Sequence, residues 1–524
     1  MPPRRSTRAA SVKPQPAKPE VKKSAVKAPA RARTATKRPA PVEDESRTPS
    51  PTPPTKRRRA GSRAAASRVE PPEPKAKPAP KKPIEKKKVE KIEKEQKPYF
   101  NPLPTPPEHL RPAPQLFAWG AGNFGQFGMG ENSLGELEKP QRNKLVEQKM
   151  QEGVYGEEGA GLEAVAAGGM YSLFVDEKGT IWSCGTNDDA ALGRITSNVP
   201  NPDKEGEFLD IDTLTSQPFP LQSLVDQNFR AVRIAAGDSI SAAISSQGDL
   251  QVWGSFRGVE GLLGFSSGQK HQFLPVPILD LPSKPGDAEK FTAVAAGNNH
   301  LVVLTTHGHV YTWGAGEQGQ LGRKVLERRK IHGTTPEKIV LGGRSHKAVV
   351  IGAGNYTSFA VDEKGDRSPT PEKKVIGLSK KELGGDETVV QITGGEHHTL
   401  FLTSTGKVYA CGRSNGGQVG IDEDDPAVKD REFPDMLEKP TLVTFPDKDD
   451  PIVHISVGIH NNLAVTQGGA LYTWGTGPQS ELGAGDETEL RTPKMIVRKD
   501  GGSWAATAGS CGGQHTLALL RKKT

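Results

Sequence analysis

The stretch Ala295-Ala-Gly-Asn-Asn-His-Leu-Val-Val-Leu-Thr-Thr-His-Gly-His-Val-Tyr-Thr-Trp-Gly-Ala-Gly-Glu-Gln-Gly-Gln-Leu-Gly322 decides the fold. It carries two marks. A first glycine closes a run of small residues, and a second follows an aromatic or small residue and leads into Gly-Gln-Leu-Gly or a variant. The first mark recurs at Gly168, Gly237, Gly297, Gly354, Gly395, Gly458 and Gly512, and the second at Gly120, Gly185, Gly254, Gly314, Gly412 and Gly475. In five copies the two glycines stand 17 residues apart, as at 168 and 185. A spacing that constant identifies one structural unit repeated along the chain.

Between the marks the chain reads Tyr171-Ser-Leu-Phe-Val, then Asp176-Glu-Lys-Gly, then Thr180-Ile-Trp-Ser. Short runs rich in β-branched and aromatic residues around a glycine turn predict a β-hairpin. The equivalent turns carry Gly248, Gly308, Gly406 and Gly468. Successive first-mark glycines are 41 to 69 residues apart, a period that fits a propeller or a β-solenoid. The ends of the repeat region choose between the two. It opens on the second half of a unit, Leu116-Phe-Ala-Trp-Gly120, and finishes on the first half, Ser510-Cys-Gly-Gly-Gln-His-Thr-Leu-Ala-Leu519. Joining these halves in one sheet closes a ring, which an open solenoid does not require. The expected fold is all-β, a seven-bladed β-propeller over residues 99–524.

One unit is damaged. Seventeen residues after Gly354 stands Pro371, within Ser368-Pro-Thr-Pro-Glu-Lys-Lys374, where Trp-Gly or Cys-Gly belongs. Proline cannot donate to a strand ladder, so this blade is expected to be incomplete. A segment of roughly 20 residues lost from the sequence after Asp366 would also account for the short period there.

Composition divides the chain near residue 100. Residues 1–98 hold 29 Lys and Arg against 10 Asp and Glu, with many Pro and Ala and no aromatic residue. Without hydrophobic periodicity such a segment cannot bury a core and is expected to be disordered. The whole-chain totals of 70 basic and 62 acidic residues leave 41 and 52 for residues 99–524, so an arm of +19 precedes a body of −11. A polycationic arm binds polyanions by counterion release regardless of their sequence, so nucleic acid or chromatin is its expected partner. A solvating tail is the alternative. Within the arm, Lys56-Arg57-Arg58-Arg59 reads as a nuclear-import signal. Three Ser/Thr-Pro pairs in Thr48-Pro-Ser-Pro-Thr-Pro-Pro54 could place phosphate charge beside it.

Other patterns exclude function classes. Cys184, Cys411 and Cys511 form no CxxC pair, and no apolar run is long enough for a spanning helix. Gly120-Ala-Gly-Asn-Phe-Gly125 and Gly314-Ala-Gly-Glu-Gln-Gly319 match the dinucleotide fingerprint. They lead into loops of the repeat, whereas that fingerprint needs a following helix. His300, His397, His398, His460 and His515 have no carboxylate at catalytic spacing, and several share one repeat register, where a hydrogen-bonded blade residue is expected. No nucleophile and base pair emerges. The chain is therefore expected not to be an enzyme of bond chemistry, to need no cofactor or metal, to avoid membranes and to be a monomer.

The Ala-Ala-Gly and Tyr-Thr-Trp-Gly-Ala-Gly-Glu-Gln-Gly-Gln-Leu-Gly units resemble the repeat of the regulator-of-chromosome-condensation family over about residues 115–520. The chain consists of such a propeller plus a basic arm. Trp253-Gly-Ser-Phe-Arg-Gly-Val-Glu-Gly-Leu-Leu-Gly-Phe265 is similar to the β-wedge of the family's exchange factor for the GTPase Ran. The resemblance implies a nuclear, chromatin-bound guanine-nucleotide exchange factor that stabilises nucleotide-free Ran, so that GDP is replaced by GTP in support of nucleocytoplasmic transport and mitosis. It implies Ran contacts at Ser255, Phe256, Arg257, Glu260 and Leu262 of the wedge and at Asp238, Asn299, His397 and His515 after the first marks. At Asn299 the family leads one to expect aspartate. Arg328 and Arg329, within Arg323-Lys-Val-Leu-Glu-Arg-Arg-Lys330, are implied to dock on nucleosome histones from the opposite face, with the arm on DNA and import receptors reading Lys56–Arg59. A propeller adaptor that binds chromatin or proteins without exchanging nucleotide stays open as the alternative.

Overall fold

The computed structural model describes residues 98–524 except 343–345, 364–366, 369–376, 430 and 434. The basic arm with Lys56–Arg59 and the segment around Pro371 lie outside the described residues. Among the described residues there are six four-stranded antiparallel sheets and one three-stranded sheet, together with two short hairpins. The architecture is an all-β propeller. Each blade is named below by its first-mark glycine.

The Gly297 blade shows how the unit folds. Phe291–Ala296, His300–Thr305, Val310–Gly314 and Glu337–Ile339 pair in sequence order. The second strand, His300–Thr305, is buried at every position, because both of its faces pack against neighbouring sheets and the run Leu301-Val-Val-Leu fills both. The Gly512 blade is assembled from the two ends of the repeat region. There Gln115–Ala121 lies beside His515–Lys522, with Trp119 opposite Thr516 and Gly120 opposite His515.

Both glycine marks are steric requirements. A Cβ on Gly297 would lie 2.1 Å from His300 Cε1 and 2.4 Å from the Gly354 carbonyl oxygen of the next blade. Gly314 has φ +127, and a Cβ there would lie 2.4 Å from the Asn299 carbonyl oxygen. In the Gly458 blade the hairpin turn takes its positive φ at Gly469 rather than at the expected Gly468.

In four of the blades the residue three places after the first mark is a spoke to the next blade. Tyr171 Oη meets Ser241 Oγ at 2.7 Å, His300 Nε2 meets Ser358 Oγ at 3.0 Å, and His398 Nε2 meets Asn462 Oδ1 at 2.8 Å. His515 Nε2 closes the ring on Ser172 Oγ at 2.8 Å. Burial pushes the imidazoles of His300 and His398 down to about 4 and that of His515 to about 3.

The sheet at Gly354 comprises Ala348–Gly354, Thr357–Asp362 and the short Arg367–Ser368, in which Val361 pairs with Arg367. Its spoke residue, Thr357, is exposed, whereas Tyr171, His300, His398 and His515 at the same register are buried.

Ahead of the first strand the chain crosses the face that carries the hairpin turns. The Asn101 amide donates to the carbonyls of Thr305 and Ala348, both at 3.0 Å. Farther along, Arg111 donates two hydrogen bonds to Glu177, each 2.8 Å, and His109 Nε2 reaches Glu163 at 2.6 Å. The described chain thus begins on the face opposite the first-mark loops.

Candidate functional site

In the Gly237 blade the third strand, Leu250–Gly254, is followed by a raised hairpin instead of the usual tight loop. Arg257 pairs with Leu262 and Gly258 with Gly261, which leaves Val259 and Glu260 at the tip. The hairpin has a buried root. Phe256 is fully buried, its ring 5.3 Å from that of Phe265, in a cluster that includes Leu263, Trp313 and Ala315. Ser255, also buried, donates its hydroxyl to the Lys270 carbonyl at 2.7 Å. Outward stand Val259, 77% exposed, and Leu262, 36% exposed.

Two pairs of residues are too few to hold a hairpin in water, and neighbouring blades supply the rest. Arg257 Nη1 binds Asp189 at 2.6 Å, and the Arg257 backbone N–H donates to Asn299 Oδ1 at 2.9 Å. The Val259 N–H donates to Glu317 Oε2 at 3.0 Å, and Glu260 pairs with Lys330. The bond to Asp189 holds the Arg257 guanidinium above its ordinary range, and Glu260 does the same for Lys330. Asp238 lies at the base of the hairpin. Burial raises its carboxyl, with Asp189 adding to the effect, while Arg257 and a hydrogen bond from Asn299 oppose it.

Arg257, Glu260, Leu262, Asp238 and Asn299 are thus brought together. His397 stands apart and exposed, 3.7 Å from Glu396, a carboxylate that His460 approaches at 3.3 Å. It lines a cavity of about 760 Å³ with Tyr356, Arg413, Phe433 and Met436.

Several expectations change. Phe256 and Ser255 root the hairpin in the core and offer no surface to a partner. His515 is a buried spoke rather than a face residue. Arg328 and Arg329 are exposed, but Lys330 beside them grips Glu260, so this basic segment shares the side of the hairpin and does not lie on the opposite face. Asp189, Val259, Glu317 and Lys330 were not anticipated. A signal existed for Val259, since Gly258-Val-Glu-Gly261 is a glycine-flanked two-residue turn.

A ring of blades that presents a rigid, ion-paired hairpin is a protein-binding scaffold. The family described as RCC1-like domain matches residues 115–518, and the chain belongs to that family. Among relatives, Protein pim1 of Schizosaccharomyces pombe is 31% identical over 83% of this chain and 80% of its own length. The guanine nucleotide exchange factor SRM1 of Saccharomyces cerevisiae is 29% identical over 77% of this chain and 86% of its own. Prp20p of Saccharomyces cerevisiae, whose crystal structure is described with its binding properties to Gsp1p and histones, has a TM-score of 0.65 at 25% identity, covering 81% of this chain and 93% of that one. The same yeast protein bound to Kap60 gives a TM-score of 0.65 at 25% identity, covering 86% of this chain and 97% of that one.

Proposed function

We propose that this chain is a nuclear, chromatin-bound guanine-nucleotide exchange factor for Ran that acts by binding, without bond chemistry of its own. The braced hairpin at Arg257–Leu262 carries this reading, supported by the exchange activity named for SRM1 and the Gsp1p binding named for Prp20p. A factor that binds the nucleotide-free GTPase best must lower nucleotide affinity by the same factor by which nucleotide weakens its own binding. The exposed hairpin, with Val259 and Glu260 at its tip, is the part of this face suited to press on the GTPase where nucleotide must leave. The three-stranded Gly354 sheet is taken as the seventh blade: Asn298 N donates to the Asn355 carbonyl and Asn355 N to the Gly395 carbonyl, so it links both neighbours.

Residues 1–98 form the arm ahead of the propeller body, and its +19 charge suits DNA phosphates. Lys56–Arg59 suits an import receptor, a reading supported by the Kap60 complex of Prp20. Arg328 and Arg329 suit an acidic protein surface such as that of histones, but they stand beside the hairpin. Of the two, the arm with its +19 charge is the better candidate to hold chromatin.

Release of labelled GDP from Ran is the deciding assay. Residues 99–524 at micromolar concentration should accelerate it, and no acceleration would leave the adaptor reading.

Asn299 supplies a sharper expectation. Its amide accepts from Arg257 and donates to Asp238, whereas the carboxylate of Asn299→Asp keeps the acceptor, loses the donor and faces a second carboxylate. One proton shared between the two acids restores the bond, and Asp238 is already raised by burial. The variant's exchange rate relative to wild type should therefore rise as pH falls into the raised range of this carboxyl pair. A flat ratio would show that Asn299 does not link the hairpin to Asp238.

A further inference from the structure

We infer that Glu317 is a positioning residue for nucleotide exchange: from the adjacent blade it fixes the direction of the hairpin tip without touching the GTPase itself. The inference rests on the exchange-factor reading above. Glu317 lies in the loop after Gly314, a loop tightened by the bond from Gln318 N to Gln320 Oε1 at 2.9 Å. Its side chain is only 11% exposed, so it sits beneath the hairpin rather than beside a partner.

Two contacts converge on this carboxylate, and a glycine makes room for it. Oε2 accepts the Val259 N–H at 3.0 Å, the peptide bond at the tip itself. Oε1 lies 3.8 Å from Lys330 Nζ, and the same ammonium holds Glu260. Gly258 gives the carboxylate its space, since a Cβ there would lie 2.7 Å from Oε1 and 3.0 Å from Oε2. Glu317 therefore joins both tip residues, one through its backbone and the other through a shared cation. The remaining braces act elsewhere: Asn299 and Asp189 both hold Arg257, at the base. Without Glu317 the base stays fixed while the tip keeps only the Glu260–Lys330 pair and loses the bond to its own backbone.

Binding energy at the tip accelerates exchange only if it is delivered in the geometry of the leaving nucleotide, and small misplacements of such groups are costly. Loss of Glu317 should lower the maximal rate and leave the encounter with Ran, made by the wider face, nearly intact. The conservative Glu317→Gln retains a carbonyl oxygen for the Val259 N–H and drops the attraction to Lys330, so it should restore most of the rate.

The test measures kcat and KM for GDP release from Ran, with the melting temperature of each variant and amide hydrogen exchange at Val259 in the free protein. Glu317→Ala should lower kcat about 10-fold with KM changed less than about 2-fold, and Val259 exchange should speed up. Glu317→Gln should recover to within about 3-fold of wild type. An unchanged kcat for Glu317→Ala, or equal losses in both variants, overturns the inference. If the wild-type protein does not accelerate GDP release, the exchange-factor reading fails by itself. In that case unchanged Val259 exchange in Glu317→Ala shows separately that the brace is not real.

Discussion

Replacing Val259 and Leu262 together by serine should reduce the maximal rate of GDP release from Ran by about 100-fold and leave the melting temperature unchanged. The size follows from the position of the two side chains. Val259 is 77% exposed and Leu262 36%, so neither supports the fold, and substitutions at such sites normally shift stability by less than about 0.5 kcal/mol. In the complex they are the exposed apolar groups of the hairpin, Val259 at its tip and Leu262 opposite Arg257, and truncating central apolar contacts of an interface costs about 2–4 kcal/mol. If that energy is expressed in the exchange transition state, about 2.7 kcal/mol corresponds to the stated factor. The comparison with Phe256 separates contact from support, because Phe256 lies wholly in the core beneath the hairpin. A loss of less than about threefold in the double variant, with the protein folded, would remove the tip from the mechanism.

The propeller was legible in the sequence because its demands are local and steric. Wherever two strands or blades approach closely, a Cβ does not fit, and glycine marks the place at a fixed spacing. The damaged unit was legible for the same reason: its second mark is missing, and the sheet there has three strands among the described residues. The hairpin was also visible, as a departure from the Gly-Gln-Leu-Gly loop.

What could not be read was the direction of side chains within it. The resemblance implied that Phe256 was a contact residue, but alternation along the strand sends Phe256 into the core and Arg257 outward. The histidine doublet divides likewise, with His397 exposed and His398 buried. His515 was readable in principle, since it stands three residues after a first mark as His300 and His398 do. The braces were beyond reach. Glu317 meets Val259 across 58 residues, Arg257 meets Asp189 across 68 and Lys330 meets Glu260 across 70, pairs that only the packing of neighbouring blades brings together.

The same spokes that close the ring should make it labile to mild acid. His300, His398 and His515 are buried with imidazoles lowered to about 4, about 4 and about 3, against about 6.5 in an unfolded chain. Their tautomer explains why protonation is resisted. Ser358 and Ser172 donate their own hydroxyls to the carbonyls of Gln320 and Gln126, and Asn462 presents its Oδ1, so in each spoke Nε2 must carry the hydrogen. Nδ1 has no partner among the described residues in any of the three. A second proton would therefore create a buried charge and an N–H without an acceptor. Because the folded values lie below the unfolded one, the unfolded chain binds more protons between about pH 6.5 and about pH 4, and stability falls as pH falls through that window. From about pH 7 to about pH 5 each histidine costs about 2 kcal/mol, so the three cost about 6 kcal/mol, against a typical total of about 5–15 kcal/mol for a folded domain. Asp176, Asp238 and Glu481, whose carboxyls burial raises, bind protons more readily when folded and offset part of this loss. Thermal melts across the window should show Tm falling steeply with pH. His300→Gln, His398→Gln and His515→Gln each keep an N–H donor and lose the titration, so each should flatten the slope in part, the remainder including His454, whose imidazole burial also lowers. A slope that all three variants leave intact would place the acid lability outside the spokes.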